Sequence, residues 1–144
     1  MALLAMTPVV ASVLPQASVS ADTAKNSQAL QSKVQGISGF WSGVPTGSQL
    51  LSLGTVDSDK LAGVSVDTMI FPLNGFNEGN AAFEVYNVTT GKTVSETITT
   101  NPIGEMATYK LPVTDAKVGD ELALRFWGVT GMCGGSFIVS GYNA

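Results

Sequence analysis

Between residues 81 and 100 the chain reads AAFEVYNVTTGKTVSETITT, and its apolar and polar positions alternate with a period of two. On an extended backbone Phe83, Val85 and Asn87 share one face, while Glu84, Tyr86 and Val88 share the other. In the return run Val94, Glu96 and Ile98 alternate with Ser95, Thr97 and Thr99. Thr90-Gly91-Lys92 lies between the runs, and glycine supplies the positive φ that a tight reversal needs. The stretch predicts an antiparallel hairpin.

The same grammar recurs at 49–56, 63–72, 106–112, 121–128 and 136–142, each segment rich in Val, Ile, Thr, Leu or aromatic residues and bounded by Gly, Pro, Asn or Asp. Its strongest example is the run Glu121 to Trp127, in which Leu122, Leu124 and Phe126 face one way and Glu121, Ala123, Arg125 and Trp127 the other. DAKVGD before it reads as a turn with Gly119 at the tight position. Short strands at this spacing predict an all-β fold, a β-sandwich or jelly roll of seven or eight short antiparallel strands.

Upstream the pattern changes. Residues 22–36 are rich in Ala, Gln, Lys and Ser and hold no Pro or Gly before Gly36, with Ser20 or Asp22 placed to cap a first turn. They predict one short helix, on which Leu30, Val34 and Ile37 form a stripe that runs on into Phe40 and Trp41. That stripe is either an oligomerisation seam or the face by which the helix lies on its own β-domain. Gly36, Gly39, Gly43, Pro45 and Gly47 then mark a boundary, which divides the chain into an arm at 1–21, a helical segment at 22–40 and a β-domain at 41–144.

Residues 1–21 carry no charged side chain and contain Pro8 and Pro15. The apolar run and Val19-Ser20-Ala21 fit a cleaved signal peptide, but its basic n-region is missing. Two prolines argue against a membrane-spanning helix. The remaining reading, which we take as the expectation, is an extended apolar arm that orders on a partner.

Composition narrows the chemistry. A chain of 144 residues is about one domain, and its net charge of −4, with Arg125 as the single arginine, offers no basic stripe for nucleic acid. There is no histidine and one cysteine, so Ser-His-Asp and Cys-His catalysis, ordinary zinc sites and an intrachain disulfide are excluded. Cys133, within Gly131 to Gly135, reads as a small apolar filler in a flexible loop between two strands. Asp57, Asp59 and Asp67 read as solvated turn rather than a calcium loop, which would need a glycine and a distal glutamate. Glu84 and Glu96 face each other across the predicted hairpin as a conceivable carboxylate pair, yet without a cleft they read as surface charges. Asn87-Val88-Thr89 matches the N-glycosylation acceptor. No cofactor and no metal is expected. Trp41 and Trp127 are large aromatics expected at the surface, either as subunit-interface core or, with Tyr86, Tyr109 and Tyr142, as supports for sugar rings.

An uncharged arm, a short heptad-like helix, a glycine-rich neck and a C-terminal β-domain together resemble the organisation of bacteriophage capsid decoration and head-fibre proteins. The resemblance implies a non-enzymatic structural virion protein whose partner is the major capsid or another virion protein. Leu3, Leu4, Val9, Val10, Val13 and Leu14 would then anchor to the shell, and Leu30, Val34, Ile37, Phe40 and Trp41 would build a homotrimer. The alternative is a secreted carbohydrate-binding or adhesive β-sandwich that meets a cell-surface glycan through Trp127, with extracellular rather than virion localisation.

Overall fold

Every strand pairing among the described residues is antiparallel. The computed structural model describes residues 30–40, 47–73, 75, 79–100 and 105–144, so the arm at 1–21, the helical segment up to residue 29 and Trp41 lie outside it. Among the described residues the strands are β1 (Lys33–Phe40), β2 (Gln49–Thr55), β3 (Leu61–Pro72), β4 (Gly79–Asn87), β5 (Lys92–Thr93), β6 (Ile98–Thr99), β7 (Ala107–Pro112), β8 (Glu121–Gly131) and β9 (Cys133–Asn143). One sheet runs β2-β8-β4-β5, with β6 also paired to β4, and the other runs β1-β9-β3-β7. If β5 and β6 are taken as two pieces of one interrupted strand, the chain winds between the sheets in the order of a jelly roll, as the spacing of the β segments predicts.

The inward positions of both sheets interdigitate. Leu122, Leu124 and Phe126 of β8, Phe83 and Val85 of β4, Val64, Val66 and Ile70 of β3, and Phe137 and Val139 of β9 are all buried in one cluster. Aromatic rings run through it edge to face: Phe40 to Phe126 at 5.3 Å, Phe137 to Phe83 at 5.3 Å, and Phe83 to Tyr109 at 5.5 Å. At the sheet-crossing end Gly135 lies so close to β3 that a Cβ there would meet the Met69 carbonyl oxygen at 1.8 Å.

Three expectations are corrected. Residues 33–40 form strand β1 rather than the end of a helix, so Leu30, Val34 and Ile37 share no stripe: Leu30 and Ile37 are buried, and Val34 is 68% exposed. Two glycines weaken a helix here by about 1 kcal/mol each, whereas the edge of β9 offers Val34 and Ile37 a ladder to join. Gly39, at φ 72°, adds a bulge that turns Phe40 inward. Second, the return run at 93–100 is not one strand but β5 and β6 with an excursion between them. Third, Cys133 opens β9, only Met132 separates that strand from β8, and the thiol is fully buried rather than in a flexible loop.

Candidate functional site

The excursion in the return run builds the most chemically distinctive cluster among the described residues. Tyr86 pairs with Thr93 and Phe83 with Ile98, so two residues of β4 face four of the returning chain. The slack is taken up locally: the Val94 N–H donates to the Val85 carbonyl at 2.9 Å, and the Val85 N–H donates to Ser95 Oγ at 2.8 Å. Thr97 is thereby turned onto the outer face of the sheet, where its hydroxyl donates to Glu84 Oε1 at 2.6 Å.

Glu84 lies opposite Arg125 in the β4–β8 register, and both point away from the core. Arg125 Nε donates to Glu84 Oε2 at 2.8 Å, Nη2 donates to the same oxygen, and Thr93 Oγ1 donates to it at 2.9 Å. Arg125 Nη2 also reaches Thr93 Oγ1 at 2.8 Å. Three donors therefore converge on Oε2 and one on Oε1. The guanidinium lies over the Tyr86 ring, 4.2 Å from its centroid. The Glu84 and Arg125 side chains are 6% and 21% exposed, and Tyr86 is half-buried. Burial pushes the Glu84 carboxyl up, but the bonds from Thr97, Arg125 and Thr93 and the Arg125 charge outweigh it and hold it below the ordinary range.

A carboxyl whose proton affinity is lowered in this way is unsuited to donate a proton to a leaving group. Glu96, its conceivable catalytic mate, is exposed on the excursion, and Glu84 pairs across the sheet with Arg125 of β8 rather than with a second acid. What the cluster presents outward is the half-buried aromatic ring, a neutralised guanidinium and hydroxyls.

The other sequence candidates fall elsewhere. Leu3, Leu4, Val9, Val10, Val13, Leu14 and Trp41 lie outside the described residues. Trp127 points away from the inter-sheet cluster, as the alternation of β8 predicts, but it is opposite Ala82 and only 8% exposed, so it offers no open ring face. Tyr109 packs inward against Phe83. Tyr142 leans across Gly63 on the outer face of the other sheet, with Lys110 Nζ 4.8 Å from its ring centroid. Asn87 is fully buried: its amide donates to Asp120 Oδ2 at 2.9 Å, and its Oδ1 accepts from the Thr90 N–H at 3.2 Å. Asp67 accepts from the Thr108 hydroxyl at 2.7 Å, while Asp57 and Asp59 are exposed. Arg125 and Tyr86 were visible in the alternation as outward residues, but nothing local announced that they stack.

No protein-family model matches the chain, and no curated protein does. Solved structures similar to it include a mutant of the carbohydrate-binding module CBM29-2, at 17% identity over 77% of this chain and 92% of that one, with a TM-score of 0.37. Another is a family 29 carbohydrate-binding module at 16% identity, covering 77% of this chain and 89% of that one, also with a TM-score of 0.37. With overlays this loose, the assignment of the fold rests on the strand pairing itself.

Proposed function

We propose that the protein is a non-catalytic glycan-binding β-sandwich that uses the outer face of β4, β8 and the returning segment. The observation that carries this reading is the convergence of half-buried Tyr86 and Arg125 and exposed Thr93 and Thr97 around Glu84 on the outer side of one sheet. A sugar has a C–H face that packs on a ring and hydroxyls that pair with fixed polar groups, and this face supplies both. The Tyr86–Arg125 stack carries the sugar ring, and Arg125 Nη1 and the threonine oxygens meet its hydroxyls. The virion reading draws on an arm outside the described residues and on a helical seam that β1 replaces, and no observation at this site favours it.

Tyr86→Ala tests the reading by affinity electrophoresis in soluble polysaccharides. Binding should fall at least about tenfold, equal to about 1.4 kcal/mol, while the circular dichroism spectrum stays that of the wild type. Undiminished binding by the folded variant would remove this face from the account.

A further inference from the structure

We propose that Glu84 sets the charge selectivity of this face: by neutralising Arg125 it admits uncharged glycans and turns away polyuronates. The inference rests on the glycan-binding reading and specifies its ligand class.

A free guanidinium is a ready clamp for carboxylates, because its planar fork matches two oxygens at once. Here the Nε–Nη2 edge of that fork is spent within the protein, which leaves Nη1 as the outward donor. Nε and Nη2 of Arg125 both end on Glu84 Oε2, and Nη2 also holds Thr93 Oγ1. The acid cannot swing aside to release it, since Thr97 pins Oε1 and Thr93 pins Oε2. Thr97 owes its position to the excursion between β5 and β6, so the backbone places the hydroxyl that holds Oε1. A uronate arriving here would meet a donor edge already occupied and a carboxylate of its own sign behind it. Arg125 is the chain's single arginine, and the net charge of −4 adds no attraction for a polyanion. A neutral sugar suffers none of this, because it asks only for the remaining donors and the ring.

The test compares wild type with Glu84→Gln, which keeps the shape and removes the charge, by affinity electrophoresis. Hydroxyethylcellulose, galactan and arabinoxylan serve as neutral probes, and polygalacturonate and alginate as anionic ones. Wild type should be retarded by at least one neutral polymer and by neither anionic one. Folded Glu84→Gln should gain at least about tenfold in affinity for polygalacturonate, a gain that fades at about 1 M salt. Wild-type retardation by polygalacturonate overturns the inference and leaves the glycan reading standing, as does a folded Glu84→Gln with no gain. Wild type retarded by no polymer takes both down. Should Glu84→Gln fail to fold, the wild type decides by itself: its affinity for the neutral polymer should be unchanged between about 0.1 and 1 M salt, and a marked salt dependence overturns the neutral site.

Discussion

Asn87 illustrates how one polar side chain ties distant segments together. Its amide joins β4 to the turn before β8 through Asp120 Oδ2 at 2.9 Å, and that same carboxylate oxygen accepts the Lys117 N–H at 3.0 Å. Asn87→Ala removes two bonds made by a fully buried side chain whose partners reach solvent, and should cost about 1 kcal/mol, read as a lower urea midpoint at unchanged slope. Because Asn87 has no exposed surface, a glycosyltransferase cannot reach it in the folded protein, although the tripeptide fits the acceptor pattern. Acid stability belongs to the same kind of contact. Glu84 and Asp120 are both held below their ordinary values of 4.5 and 3.8: in Glu84 the bonds from Thr97, Arg125 and Thr93 outweigh burial, and in Asp120 the bonds from Asn87 and Lys117 dominate. A carboxyl lowered by folding stabilises the protein above its unfolded value, and that contribution is lost as pH falls through the lower folded value. Stability should therefore drop below about pH 4, and Glu84→Gln should show a shallower decline over that range; parallel curves in urea titrations at stepped pH would contradict the assignment.

Among the strands, the returning run and β9 show opposite ways of using irregularity. The excursion between β5 and β6 gives up ladder bonds but replaces them with the Ser95 and Val94 contacts to Val85, and so aims Thr97 at Glu84. In β9 the irregularity is a close approach: Gly135, at φ 153°, leaves no room for a side chain against the Met69 carbonyl. Gly135→Ala should destabilise by more than about 3 kcal/mol, since the obstacle is backbone that cannot rotate away. The check is again the urea midpoint, and a loss below about 1 kcal/mol would mean that β3 and β9 separate easily there. The hairpin turn and the Gly119 turn, at φ 99°, were both legible in the sequence, because a positive φ is demanded locally. The excursion was not, because the alternation at 93–100 is compatible with an unbroken strand.

For the molecule as a unit, the last strand is central. β9 lies between β1 and β3, so the sheet that contains the N-terminal described strand is closed by the C-terminal one. Removing residues 133–144 strips both β1 and β3 of a partner and removes Phe137 and Val139 from the core. The truncated chain should show no cooperative unfolding transition; a sharp one would mean that the β2-β8-β4 sheet is stable without its mate. Pairing strands so far apart in the chain also makes refolding slow, in the millisecond to second range by stopped-flow fluorescence.

What the sequence determined by itself is the strand inventory from β2 onward apart from the break between β5 and β6, the alternating faces of β4 and β8, and the turns at glycine. These are properties of a few consecutive residues, since alternation and φ are settled within reach of the local backbone. Tertiary structure decided the rest. Residues 33–40 became strand because β9, a hundred positions away, had an edge to pair. Trp127 and Glu84 look alike in the pattern, both outward, yet the first is packed away and the second is locked to Arg125 across a register that only the sheet defines. The physical reason is the same in each case: an outward position is assigned by the strand that carries it, but what covers or charges that position comes from segments distant in the chain.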